Sequence, residues 1–255
     1  MQIVLALKRI VGLQILCHPA VGRLIAFLSG GAITSRGSVI NIRNNHISRE
    51  NVARIFWGLY ERAEIGLTKK YLRRDLDVVE LGSSLGIVSL SILRVQDRDK
   101  KLICVEANSH LVETIRDNIR ANAPWKDFDV LNRAVDYGNR AEVNVSIDSG
   151  NLGSRVSAVG NGRGMLIRTI TLEALLAAYD IKEFALVSDI EGAEVGVITK
   201  DGKSLERCRQ LIIELHDVNF EGETYTVQAL REKIETLHGF NLVASRNDVF
   251  VFERR

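Results

Sequence analysis

Residues 77–90, Asp77-Val78-Val79-Glu80-Leu81-Gly82-Ser83-Ser84-Leu85-Gly86-Ile87-Val88-Ser89-Leu90, constrain this chain more than any other stretch. An apolar run rich in β-branched residues ends on a carboxylate and passes through Gly-x-x-x-Gly. Apolar residues then return at helical spacing, at Ile87, Leu90 and Leu93. The pattern reads as a buried strand, a tight turn and a helix start. Glycine permits the sharp turn and lets a ligand approach the backbone closely. The first helical N–H groups favour a negative group lodged there.

Strand–helix alternation continues downstream. Lys101–Glu106, Phe128–Leu131, Ala185–Ile190 and Gln210–Glu214 read as further buried strands. Helices are expected at Ile87–Val95, from Asn108 or Ser109 to Ile119, at Leu172–Ala178 with Thr171 as cap, and over Tyr225–Leu237. Val143–Ile147 alternates like an exposed strand, and the Gly/Ser/Asn-rich stretch 151–164 reads as a mobile loop. Asn241–Ala244 and Asp248–Phe252 suit a closing antiparallel hairpin. The alternation implies an α/β fold with a doubly wound, mostly parallel sheet of about seven strands. Its ligands belong at the carboxyl ends of the strands, at Glu80/Gly82, Glu106, Asn132, Asp189 and Glu214/His216.

Residues 1–72 read as a helical N-terminal extension or lid ahead of a catalytic domain at 73–255. No acidic residue precedes Glu50, so residues 1–49 carry +6 and the remainder −4. A basic front end suits an anionic surface or an acidic substrate. No nucleic-acid-binding motif accompanies it, which argues against a nucleic-acid partner. The runs Ile10–Gly22 and Leu24–Ser35 are too short to span a bilayer. Leu13, Leu16, Ala20, Leu24 and Phe27 could face the core, a second subunit of an oligomer, or the inner membrane face. Three scattered cysteines, Cys17, Cys104 and Cys208, form no metal or redox motif and suit a reducing, cytoplasmic setting.

Glu106 lies 20 residues beyond Gly86, at the end of the next strand. A carboxylate there can take both hydroxyls of a ribose. The dinucleotide fingerprint Gly-x-Gly-x-x-Gly fails, because positions 84 and 87 are Ser and Ile. A single nucleoside bearing an amino-acid tail fits the turn better.

These residues resemble the FkbM-type S-adenosylmethionine-dependent methyltransferases. The likeness spans about residues 60–220. It rests on the Glu80-x-Gly82-x-x-x-Gly86 turn, Val105-Glu106-Ala107-Asn108, Leu131-Asn132-Arg133-Ala134-Val135 and Thr171-Leu172-Glu173-Ala174-Leu175. Its most specific part is Ser188-Asp189-Ile190-Glu191-Gly192-Ala193-Glu194, followed by Ile213-Glu214-Leu215-His216. The resemblance implies a Rossmann-like class I methyltransferase that methylates hydroxyls of sugars, glycans or glycosylated metabolites. It places Glu80, Gly82, Ser83 and Gly86 around the methionine tail, Glu106 and Ala107 at the ribose, and Asn132, Arg133 and Ala134 beside the adenine. Asp189 would border sulfonium and acceptor, with Glu191, Glu194 and Glu214 toward the substrate. Glu80 stands where the family usually has Asp, and Ser188 where it usually has Lys.

Methyl transfer to a hydroxyl needs alignment of the two reactants and removal of a proton. His216 suits the base, because its ordinary pKa lies near neutrality, and Asp189 is the rival. The carboxylates Asp189, Glu191, Glu194 and Glu214 could alternatively hold Mg²⁺, which takes oxygen ligands. A binding module without transfer chemistry, or an N- or C-methyltransferase, are the alternative functions. No Ser-His-Asp order, zinc spacing or P-loop is present.

Overall fold

The computed structural model describes residues 12, 14–147, 154–157 and 164–254. Helix α1 (Pro19–Leu28) leads into the hairpin β1 (Ala32–Ser35) and β2 (Ser38–Asn41), then α2 (Arg49–Phe56) and α3 (Arg62–Tyr71). Next come β3 (Asp77–Leu81), α4 (Ile87–Val95), β4 (Leu102–Glu106), α5 (Ser109–Asn122) and β5 (Phe128–Asn132). Short strands β6 (Ala134–Val135), β7 (Glu142–Ile147), β8 (Ser154–Ser157) and β9 (Gly164–Ile170) precede α6 (Leu172–Ala178) and β10 (Phe184–Ser188). Helices α7 (Glu194–Lys200) and α8 (Gly202–Glu206) lead to β11 (Cys208–Glu214) and the hairpin β12 (Val218–Phe220) and β13 (Glu223–Tyr225). Helix α9 (Val227–His238) and strands β14 (Phe240–Arg246) and β15 (Val249–Arg254) follow.

The main sheet has seven strands in the order β14-β15-β11-β10-β3-β4-β5. Strands β11, β10, β3, β4 and β5 run parallel, and β15 and β14 close one edge antiparallel. This is the α/β sheet with terminal hairpin that the alternation implies. The chain moves outward from β3 through β4 to β5, then returns to β10 and β11 on the other side of β3. Connections therefore leave β3 and β10 in opposite directions, which opens a crevice above their carboxyl ends.

Period-two alternation sends successive side chains to opposite faces. Val78, Cys104, Val130, Ala185, Val187, Ile212 and Val251 pack beneath α3, α4 and α5. Val79, Leu81, Ile103, Val105, Leu186, Leu211 and Ile213 pack against the layer that holds α6, α7, α8 and α9.

The N-terminal extension is less helical than expected, because it holds the β1–β2 hairpin. Ile33, Ile40, Ile42, Val52 and Ile55 belong to the same buried cluster as one sheet face. Amide side chains of α5 fasten the hairpin. Asn118 Oδ1 accepts from the Asn41 N–H at 2.7 Å while its Nδ2 donates to the Leu85 carbonyl at 2.8 Å. Asn122 accepts from the Val39 N–H at 2.9 Å and donates to the Val39 carbonyl at 2.7 Å. Such pairing depends on tertiary contact, so the local pattern alone shows only a short strand at Ser38–Ile42. Within the expected mobile loop, Ser154–Ser157 is a strand paired with β7, and the remainder of 148–163 lies outside the described residues. Among the described residues, no helix is long and apolar enough to cross a membrane.

Gln210 ties the shoulder to the sheet. Its fully buried side chain donates to the Tyr71 carbonyl at 2.8 Å and to Glu253 at 2.9 Å, and accepts from the Arg73 N–H at 2.8 Å. Gln210→Leu keeps the volume but strands these groups, so urea unfolding should show a loss of about 1–3 kcal/mol. Unchanged stability would show that water replaces the amide.

Candidate functional site

The crevice is built where β3 and β10 end side by side. The Asp189 N–H donates to the Leu81 carbonyl at 3.0 Å, and the Gly82 N–H donates to the Val105 carbonyl at 2.9 Å. Gly82 has φ +84°, and a Cβ there would lie 1.8 Å from the Asp189 carbonyl oxygen. Only glycine fits. The turn ends at Gly86, which adopts φ +73° and begins α4 above Ile115. Glu80 sits under this floor, 2 % exposed, where it accepts from Ser89 Oγ and lies 3.2 Å from Cys104 Sγ.

Beside the turn, β4 ends on Glu106. Its two carboxylate oxygens accept the Ser84 and Asn108 N–H groups, each at 2.7 Å. Burial pushes its carboxyl up to about 7, against the pull of those N–H groups toward the ionised form. Asn132 Nδ2 donates to the carbonyls of Glu106 and Ala107 at 2.9 and 3.0 Å, which fixes the backbone path at the strand end.

A cleft of about 400 Å³ opens here. Gly82, Ser84, Glu106, Ala107, Arg133, Ala134 and Val135 line one side, and Asp189, Ile190, Glu191, Ala193 and Glu214 another. The α2–α3 corner supplies Asn51, Arg54, Leu59, Tyr60 and Glu61. Tyr60 Oη and Ser84 Oγ share a hydrogen bond at 2.9 Å, which joins this corner to the glycine turn. Glu61 holds a left-handed φ of 44°, and burial together with Asp189 raises its carboxyl well above the usual range.

After β10 the chain turns through Glu191 at φ 54° and Gly192 at φ 105°. Glu194, fully buried, steadies this turn by accepting the Ile190 and Gly192 N–H groups, each at 2.7 Å. His216 lies across the turn from it. Its Nδ1 is 3.5 Å from Glu194, and its Nε2 is 3.9 Å from both Asp189 and Glu191. Glu194 and the other carboxylates favour the protonated ring and raise the His216 pKa, while burial raises that of Asp189. Asp189, Glu191 and His216 offer three ligand atoms within 4.8 Å of one another, a set able to hold a divalent cation. Its imidazole nitrogen suits Mn²⁺ or Zn²⁺ better than Mg²⁺. The all-carboxylate Mg²⁺ set expected from sequence is not assembled, since Glu194 is committed to the turn.

Of the residues singled out from sequence, Gly82, Glu106, Ala107, Arg133, Ala134, Asp189, Glu191 and Glu214 line the cleft. His216 adjoins it. Glu80, Ser83, Gly86, Asn132 and Glu194 stand behind the wall and shape it instead. The side chains of these five face the core or bind backbone groups, and Gly86 has none. Asn51, Arg54, Glu61 and Val145 were not foreseen as cleft residues. They come from packing between distant elements, for which the sequence carries no local signal.

The crossover cleft and the carboxylate ending β4 define a Rossmann-like, nucleoside-binding class I architecture. The Methyltransferase FkbM domain family matches residues 86–242, more than half of the chain, and the protein belongs to it. It is an S-adenosylmethionine-dependent methyltransferase. The match begins four residues after Gly82 and reaches β14, beyond the 60–220 span of the sequence resemblance. Solved structures with related folds include a proposed tRNA (m1A22) methyltransferase from Streptococcus pneumoniae in complex with S-adenosyl-L-methionine. It is 13% identical with TM-score 0.44, covering 74% of this chain and 71% of that one. Ribosomal protein L11 methylase from Lactobacillus delbrueckii is 10% identical with TM-score 0.41, over 75% and 78% of the two chains. Precorrin-6y C5,15-methyltransferase from Geobacter metallireducens is 14% identical with TM-score 0.40, over 75% and 87%. No curated protein sequence matches the chain.

Gly82→Ala tests the close approach at the crossover. A left-handed alanine alone costs about 1–3 kcal/mol, and the overlap with the Asp189 carbonyl adds to it. Urea unfolding should show at least that loss; wild-type stability would contradict the contact.

Proposed function

We propose that the protein transfers a methyl group from S-adenosylmethionine to a hydroxyl of a sugar, glycan or glycosylated metabolite. The observation that carries this reading is the meeting, in one cleft, of Glu106 with the Asp189–Glu191–His216 cluster. The bound donor supplies an electrophilic methyl on a positively charged sulfur. Glu106, already oriented by two N–H groups, has lone pairs left to accept both ribose hydroxyls. Gly82 leaves backbone space for the amino-acid tail, and Arg133 and Ala134 flank the base. The carboxylates Glu61, Asp189 and Glu214 favour a cationic ligand in the cleft.

Asp189 orients the acceptor hydroxyl, and His216 Nε2 receives its proton as the oxygen–methyl bond forms and the sulfur–methyl bond breaks, which leaves S-adenosylhomocysteine. In the free protein the surrounding carboxylates hold the ring protonated. Positive charge arriving beside them shifts it toward the neutral, accepting form. A saccharide acceptor is supported by family resemblance and by the need for a base.

His216→Ala should lower turnover about 10²–10⁴-fold while S-adenosylhomocysteine still binds. Product formation against a glycan panel measures this. Near wild-type turnover would favour N- or C-methylation, which needs no strong base, and binding without any product would favour a non-catalytic module. The cation-capable set supports a second reading, in which His216 is a metal ligand. Loss of activity in EDTA with recovery on Mn²⁺ would select it.

Glu106 gives a pH signature. Ribose hydroxyls need its ionised form, and its pKa lies near 7 in the free protein. Affinity for S-adenosylhomocysteine should fall about tenfold from pH 8 to pH 6. A flat profile would remove Glu106 from the ribose.

A further inference from the structure

Five cations gather on the outer side of the α2–α3 corner, away from the acidic cleft. Arg36, Lys69 and Arg94 surround one small pocket between the β1–β2 turn, α3 and α4. Arg62, Gly66 and Lys69 share one face of α3 at i, i+4 and i+7 spacing. Arg246, from the end of β14, lies across that face, with Nη1 3.6 Å from where a Gly66 Cβ would be. Neighbouring positive charge is felt directly: Arg62 and Arg246 lower the pKa of Arg36, as Arg94 and Arg36 lower that of Lys69, both after burial. Among the described residues none of the five has a carboxylate within ion-pair distance. Burial raises the nearby Glu61 and Glu64 carboxyls well above the usual range, with Asp189, Glu80 and Glu214 adding to the effect.

Apolar groups border this patch. Arg36 donates to the Gly58 carbonyl, directly after Trp57, which is 45 % exposed. The Trp57 indole donates to the Leu16 carbonyl at 3.1 Å, beside Leu16 at 39 % and Ile15 at 63 % exposure. Uncompensated cations next to an exposed indole and aliphatic side chains match an anionic lipid surface, where phosphates meet acyl chains. A nucleic acid would gain little from the aliphatic part.

We propose that this corner, Arg36, Arg62, Lys69, Arg94 and Arg246 with Trp57, docks the protein on an anionic phospholipid membrane. The docking does not rest on the methyltransferase reading of the cleft.

Sedimentation with vesicles of equal parts phosphatidylglycerol and phosphatidylcholine tests the proposal on the full chain. Among the described residues Arg62, Lys69 and Arg246 make no side-chain hydrogen bond, so the triple variant Arg62→Gln, Lys69→Gln, Arg246→Gln should fold. Retained S-adenosylhomocysteine binding checks this. The wild type should sediment with the anionic vesicles and not with pure phosphatidylcholine. The variant should partition roughly a hundredfold less. The proposal is overturned if the wild type stays in solution, if the variant sediments equally, or if neutral vesicles bind as well. Binding to single-stranded RNA in place of vesicles, or a dimer that the variant loses, would also overturn it. Vesicle binding and S-adenosylhomocysteine binding are separate readouts, so failure of one is distinguishable from failure of the other.

Discussion

The architecture depends on how closely two strand ends approach. Where β3 gives way to its turn, Gly82 lies against the Asp189 carbonyl that follows β10, at a separation that excludes any side chain. The Asp189 N–H to Leu81 hydrogen bond extends the sheet register one step past the strand. This contact sits at the crossover of the doubly wound sheet, where connections diverge and a crevice must open. Without it, the Asp189–Glu191 segment would not be held beside Glu106, and the cleft would lose one wall.

Electrostatics follow from that geometry. Parallel strands deliver Glu106, Asp189 and Glu214 to one end of the sheet, and Glu61, just before α3, adds a fourth carboxylate. Burial raises Glu106 and Asp189, and the unfolded chain would ionise both near their ordinary values. A folded pKa above the unfolded one gives a stability contribution that is complete at low pH. For Glu106 that contribution is lost as pH rises through about 7. The cleft thus gathers unfavourable negative charge near neutrality, and a cationic ligand relieves it. The outer side of the same corner carries the opposite sign, with Arg62 only one residue from Glu61.

Much of this was legible in the sequence because it is local. The strand–turn–helix at 77–90, the Thr171 cap of α6 and the carboxylate at the end of β4 each follow from periodicity, capping and glycine chemistry over a few residues. Thr171 Oγ1 does accept from the Ala174 N–H, at 3.2 Å. What stayed hidden depends on distant partners. The β1–β2 hairpin is held by Asn118 and Asn122 from α5, and Tyr60 reaches Ser84 only after α2 and α3 have packed. Glu194 shows the limit most clearly. A first-turn acid in an Asp-x-Glu-Gly-x-Glu pattern reads as a ligand group, yet its oxygens close the turn that holds Glu191. The basic corner was invisible for the same reason, because it draws one or two residues each from β1–β2, α3, α4 and β14.

The central claim is that the β3–β10 crossover cleft, with Glu106 at its side, is the donor site. Calorimetric titration of S-adenosylhomocysteine into wild-type protein and Glu106→Ala tests it most directly. The account predicts one molecule bound per chain, with the variant weaker by about 1.5–3 kcal/mol, tenfold or more in Kd. Equal affinity in the two proteins, or no binding to the wild type, would contradict it.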